Sequence, residues 1–239
     1  MTFHVKQAPE PTEGARRFFG ERLPLAEAFA AILADTGVSH GLIGPREVPI
    51  LWERHVLNCA VIEDAFTSGS RVIDVGSGAG LPGVAVAISR PDLDIHLVEP
   101  MLRRTDWLTG VVEELALPNV TVHRARAEEV HGTLEAPFVT ARAVARLDKL
   151  ARWCFPLLTP GGSLVAMKGR SAADELADVT PALRKVGQHP LVQRVPVAAA
   201  GQHVAGAGWK PRFKLVGGHG RDRHRNGGGR AMRLAGRVE

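Results

Sequence analysis

Cysteine is nearly absent from this 239-residue chain: Cys59 and Cys154 stand alone, with no Cys-x-x-Cys and no paired His–Cys spacing. That argues against a structural metal and a disulfide framework, and the expected compartment is a reducing cytoplasm. Apolar runs stay well short of the roughly 18–20 residues a membrane span needs, and the charged N-terminus lacks a signal-peptide core. No membrane partner is therefore expected. Tyrosine is missing altogether, and for that absence there is no physical account.

What is present is ordinary in bulk: 45% apolar and 23% charged residues, enough chain for one α/β domain with a helical extension. The net charge of +5 is unevenly placed. Residues 201–239 hold nine Lys/Arg against Asp222 and Glu239, a balance of +7 that leaves residues 1–200 at −2. A basic tail is an electrostatic footprint for nucleic acid or another anionic surface; the bland alternative is a solubilising end.

Periodicity and composition divide the chain into three, the last part being the basic, Gly/Arg-rich tail 201–239, expected to be poorly ordered. Apolar residues at helical spacing over 13–35 and 46–66 predict two helices of an N-terminal cap, residues 1–68. From residue 69 to 200 strands and helices alternate, with strands expected at 71–75, 94–98, 120–124, 137–141 and 162–168. Helices are expected at 81–89, 102–116, 146–158 and 171–186. Such alternation predicts a mainly parallel sheet with helices on both faces. Residues 191–198 and 212–216 read as weak strands; from Gly217 the Gly/Arg/His bias reads as disorder.

The richest stretch is Val72-Ile-Asp-Val-Gly-Ser-Gly-Ala-Gly-Leu-Pro-Gly83, a strand running into a glycine turn and a helix. Such a turn brings bare backbone N–H groups up to a nucleoside-containing ligand. Gly78–Gly83 fits the dinucleotide pattern, whereas Asp74 followed by Gly76, Gly78 and Gly80 fits the acidic form seen where S-adenosylmethionine (SAM) binds. A carboxylate at Asp74 suits a cationic amino group and repels a pyrophosphate, so SAM is the expected cofactor over NAD. The alternative is a glycine-rich turn with no ligand.

Glu99 ends the second strand, where an acid accepts ribose hydroxyls; otherwise it is a surface acid. Ala127 and Glu128 follow the third strand, where an adenine edge would be read, although Glu128 also suits a solvated helix start. Arg142 ends the fourth strand, facing the transferred group, unless it serves a structural ion pair. That strand end lacks both an Asn/Asp-Pro-Pro-aromatic segment for an exocyclic amine and a Pro-Cys for a cytosine ring. An acceptor that is already nucleophilic, such as a purine ring nitrogen, needs positioning more than a base, so no catalytic acid or base is expected. Arg54-His55, Arg103-Arg104 and Lys168 each read alone as solvated surface residues, and together with the basic tail they are expected to form a phosphate-contacting rim.

Seven segments then resemble, in order and spacing, the RsmG (GidB) family of bacterial 16S rRNA guanine-N7 methyltransferases. They are Trp52-Glu-Arg-His-Val-Leu-Asn-Cys59, Val72–Gly83, Glu99-Pro-Met-Leu-Arg-Arg104, Arg126-Ala-Glu128, Thr140-Ala-Arg-Ala143, Leu147-Asp-Lys-Leu150 and Met167-Lys-Gly169. The resemblance implies the Rossmann-like fold of SAM-dependent methyltransferases and methyl transfer to a guanine N7 in 16S rRNA, on free rRNA or the small ribosomal subunit. It also implies cofactor contacts at Gly76, Leu81, Ala127, Glu128 and Arg142; Asp74 and Glu99 come from the residues alone. A monomer is the expected state. Two readings stand beside it: a small-molecule methyltransferase and a non-catalytic RNA-binding protein on the same scaffold. The family pattern further implies an antiparallel hairpin after residue 187, where the Gly/Arg/His bias departs from it and would fit a wrong reading frame in a GC-rich gene.

Overall fold

The computed structural model describes residues 8–142, 144–168, 172–185, 193–196, 211–214 and 231–236. The N-terminal cap is more broken than its periodicity predicts. Helix α1 (Glu13–Phe19) stops at Gly20, whose φ of +50° no continuing helix tolerates, and α2 (Leu23–Ile32) restarts after a single tight turn. The expected helix over 46–66 becomes a tight turn Pro45–Ile50, a widened turn Trp52–Val56 and the short α3 (Leu57–Ala60). Pro49 explains the first break, since it has no N–H to donate.

Next come β1 (Arg71–Val75), α4 (Gly83–Ser89), β2 (Asp94–Val98), α5 (Leu102–Glu114), β3 (Val120–His123) and β4 (Ala136–Arg142). They are followed by α6 (Leu147–Cys154), β5 (Leu158–Lys168) and α7 (Ala172–Lys185). Strands β1–β5 are parallel in the order β3-β2-β1-β4-β5, a Rossmann-like sheet, and the crossover from β3 to β4 makes the β1/β4 junction its switch point. Strand β5 starts before the expected Gly162. It runs through Thr159-Pro-Gly-Gly162 because Gly161, at φ +76°, lets the chain bulge between the Ala136 and Phe138 pairings.

Farther on, β6 (Gln193–Pro196) and β7 (Pro211–Lys214) pair antiparallel as a separate ribbon, and β8 (Ala231–Gly236) lies parallel beside β5. The sheet therefore gains its sixth strand in parallel, where the family pattern implies an antiparallel hairpin. An edge strand takes its bonds from the backbone of its neighbour, so β8 needs no strong side-chain pattern. The remainder of the expected disordered stretch, 217–230 and 237–239, lies outside the described residues.

The strand period of two sends side chains to two separate cores. Val72, Ile95 and Leu97 join a core with Phe29, Leu33, Trp52, Val84 and Leu108, which welds the cap, α4 and α5 to one face. Ile73, Val75, Val98 and Val139 face Leu147, Leu150, Cys154 and Leu176 of α6 and α7 on the other. The cap is further tied to α4 by Arg22 Nε to Ile88 O at 3.1 Å and to α5 by Trp107 Nε1 to Thr36 Oγ1 at 2.9 Å. No helix among the described residues is long and apolar enough to cross a membrane.

Where α4 meets β1 there is no room for a methyl group. A Cβ on Gly83 would lie 2.3 Å from Leu97 Cδ2 and 2.8 Å from Asp74 Oδ2. Gly83→Ala is therefore expected to cost about 1–3 kcal/mol of stability, as overpacking generally does. A thermal melt reads this as a drop of several degrees, and an unchanged midpoint would refute the packing described.

Candidate functional site

At the C-terminal ends of β1, β2 and β3 lies a cleft of about 210 Å³. Gly76, Ala127 and Glu128, three of the residues singled out from sequence, line it together. Its other walls are Val75, Val98 and Pro100 on one side, Ala125 and Arg126 below, and Val144 and Trp153 from the β4–α6 side. Pattern reasoning missed Val144 and Trp153, because both reach the cleft from elements whose own periodicity says only that they are partly buried.

The glycine turn is forced by its conformation. Gly76, Gly78 and Gly80 hold φ of +72°, +53° and +74°, a region that costs other residues about 1–2 kcal/mol. A Cβ on Gly76 would also sit 2.8 and 3.1 Å from the two methyls of Val144. Val144 in turn is fixed by a buried bridge: Lys168 Nζ reaches Ala145 O at 2.6 Å and Glu175 Oε2 at 2.7 Å, and Glu175 accepts the Leu147 N–H at 2.9 Å. Lys168 is thus spent inside the protein and is no rim cation, contrary to the sequence reading. Gly169 and Ala143, each the last residue of a segment that resembles the family, lie outside the described residues.

Asp74 does not line the cleft. Alternation along β1 turns it toward α4, opposite to Val75, and it is fully buried. Oδ2 accepts the Gly83 N–H at 3.0 Å, while Oδ1 is buried with no hydrogen-bond partner among the described residues. Burial pushes its carboxyl up to about 7, with the Gly83 hydrogen bond pulling the other way; the Ser77 hydroxyl donates to the Asp74 backbone O at 2.9 Å. Leu81 lies in the cap-side core, its N–H bonded to Ser77 O at 3.2 Å, so its side chain shapes the turn and does not wall the cleft.

Glu99 is 2% exposed and bridges the turn to β2. Its Oε2 accepts the Gly78 N–H and its Oε1 the Met101 N–H, both at 3.1 Å, with Arg104 3.7 Å away. One carboxylate thereby sets the distance between the first two loops at the sheet's carboxyl edge. Of the other expected rim cations, Arg103 donates to His40 O and Arg54 pairs with Glu47 at 3.1 Å, and Arg54 and Arg104 remain about two-fifths exposed.

Arg142, at the end of β4, turns its guanidinium toward the cap. Nη1 donates to Cys59 Sγ at 2.9 Å; Nη2 donates to His55 Nδ1 at 2.7 Å and to Arg54 O at 3.4 Å. No carboxylate among the described residues forms a salt bridge with it. These bonds use three of its five N–H donors, and Nε–H and one Nη1–H have no partner among the described residues. Cys154 is fully buried, and burial drives its thiol far above the ordinary range, so it is no nucleophile.

The cleft thus combines a glycine cradle with an apolar wall, while Glu99, buried behind the turn, and Arg142, bonded toward the cap, stand beside it and do not line it. The family model described as rRNA small subunit methyltransferase G matches residues 22–203. A protein of Thermobifida fusca named ribosomal RNA small subunit methyltransferase G is 52% identical over 216 residues, covering 90% of this chain and 86% of its own. Proteins of the same name from Paenarthrobacter aurescens and Streptomyces coelicolor are 55% and 56% identical, covering 73% and 76% of this chain and 81% and 76% of theirs. Among solved structures, Trm5b from Pyrococcus abyssi aligns with a TM-score of 0.49 at 11% identity, over 72% of this chain and 49% of its own. The chain belongs to the GidB family, the rRNA small subunit methyltransferases G.

Proposed function

We propose that the cleft binds SAM and that the protein transfers its methyl group to N7 of a guanine in the 16S rRNA of the small ribosomal subunit. The observation that carries the cofactor assignment is the charge arrangement around the Gly76 turn. On one side stands Arg142, a guanidinium that no carboxylate among the described residues pairs with; on the other is Asp74, whose buried Oδ1 has no hydrogen-bond partner among them. An amino acid zwitterion complements both, its carboxylate on Arg142 and its ammonium within the field of Asp74. Asp74 acts from behind the turn, not by lining the cleft.

Glu99 keeps a lone pair on each oxygen beyond the N–H it already accepts, enough for two ribose hydroxyls. Ala127 and Glu128 offer a backbone N–H and a carboxylate to an adenine edge, against the apolar faces of Val98, Pro100 and Trp153. When bound, SAM supplies a methyl on a sulfonium that a ring-nitrogen lone pair takes directly. The chain therefore needs no general base at the site; its work is to orient and to exclude water.

RNA would approach across the exposed parts of Arg54 and Arg104, with the +7 segment 201–239 adding long-range attraction. In this reading residues 1–68 form the cap and 69–200 the catalytic unit, and the protein works in the cytoplasm. Incubation with labelled SAM and small subunits lacking the modification tests the proposal: label is expected in the rRNA. Label absent from rRNA while SAM still binds would favour a small-molecule acceptor. No heat with SAM at high micromolar concentration would favour a non-catalytic RNA-binding protein.

A further inference from the structure

We infer that Glu47 and His55 form a positioning relay that aims Arg142 at the cofactor's carboxylate, so that the cap helps set the affinity of the cleft. The inference rests on the proposed role of Arg142. It starts from a proton count: an Arg side chain has donors only, so His55 Nδ1, 2.7 Å from Arg142 Nη2, must be an unprotonated acceptor. The imidazole proton is then on Nε2, which lies 2.6 Å from Glu47 Oε2 and donates to it. The chain of bonds runs one way, from Arg142 through His55 to a carboxylate on the Pro45–Ile50 turn.

Each link is protected. His55 is 7% exposed, and the charged groups facing it are Glu47, its neighbour Arg54 and Arg142, with Cys59 Sγ on the far side of the guanidinium. Burial, then the adjacent Arg142, pushes the imidazole down to about 4 against the pull of Glu47. It therefore stays neutral, and Nδ1 stays an acceptor, throughout the range in which ribosomes work. Protonation would set an N–H against an N–H and turn Arg142 loose. A buried histidine serving only the fold could use either tautomer; here the carboxylate on one nitrogen dictates the lone pair on the other. The arrangement also gives chemical content to the Arg54-His55 pair, which stands in the cap far from the glycine turn in sequence.

The test is a double-mutant cycle on S-adenosylhomocysteine (SAH) affinity, read by calorimetry on the full-length protein. Glu47→Ala and His55→Leu are each expected to weaken binding about 5–20-fold, whereas His55→Gln, which keeps a donor and an acceptor, restores most of it. In an Arg142→Ala background the same changes are expected to add less than twofold, because members of one relay are not additive. Below pH 5 the wild-type affinity should fall and the His55→Gln affinity should not. Thermal melts of all variants separate misfolding from repositioning, and Glu47, partly exposed, is the variant least able to unfold the protein. If Arg142→Ala weakens binding while Glu47→Ala and His55→Leu bind normally, the relay is wrong and the role of Arg142 stands. Full additivity of the changes would also overturn it. If Arg142→Ala itself binds SAH normally, the role of Arg142 fails, and the relay with it.

Discussion

Gly76→Ala is expected to weaken SAM and SAH binding by at least tenfold, and Gly76→Arg to abolish it, with the protein still folded. Two costs combine at this position. The φ of +72° charges any L side chain about 1–2 kcal/mol, and the new Cβ meets the Val144 methyls at 2.8 and 3.1 Å. Relief of the collision moves either the turn or Val144, and both line the cleft, so the damage falls on the ligand more than on the core. Val144→Ala in the same chain should return part of the lost affinity by making room, while the φ penalty persists. Calorimetry with SAH checks both; affinity unchanged in Gly76→Arg would remove the cradle from the site.

Asp74→Asn is expected to move stability and affinity in opposite directions. The native carboxyl titrates near 7 because it is buried, whereas in the unfolded chain it titrates near 3.8. Between those values the unfolded state has lost a proton that the native state keeps, so stability falls as pH rises from about 4 to 7. The asparagine keeps an oxygen for the Gly83 N–H and cannot ionise, so its melting point at pH 7.5 should exceed that of the wild type. Its SAM affinity should be lower, about tenfold or more, because the charge that attracts an ammonium is gone. In the wild type, SAM binding should expel a proton from Asp74 near neutral pH and tighten as pH rises from 6 to 7.5. Heats measured in buffers of different ionisation enthalpy report that proton. A variant that binds as well as wild type, with the same proton release, would show that Asp74 has no part in the cofactor site.

Both predictions depend on where the sequence could and could not be read. The order of strands and the glycine turn were legible, since a parallel strand, a turn with positive φ and a following helix each leave a local mark. The acid of β1 was legible as important but not in its direction. The alternation Val72–Ile73–Asp74–Val75 assigns it to the α4 face, and only the packing of Gly83 against its oxygen makes that face decisive. For Arg142 the sequence left an ion pair open. Its actual partners, His55 and Cys59, are more than 80 residues distant, and no periodicity carries contacts across that separation. Lys168 departs from the expected rim for the same reason: Glu175 and Ala145 O claim it through tertiary packing. At the end of the chain, β8 draws its geometry from β5 and not from a pattern of its own.

The central claim is that this cleft serves transfer of a methyl group to a guanine ring nitrogen. It is tested most directly by locating the product. Small subunits lacking the modification would be treated with the protein and SAM, cleaved by chemistry specific for N7-methylguanosine, and mapped by reverse transcription. A single stop, one nucleotide 3′ of a guanine in 16S rRNA, absent with Gly76→Arg, is the predicted result. Labelled rRNA that resists N7-specific cleavage, or a stop that persists with Gly76→Arg, would contradict it.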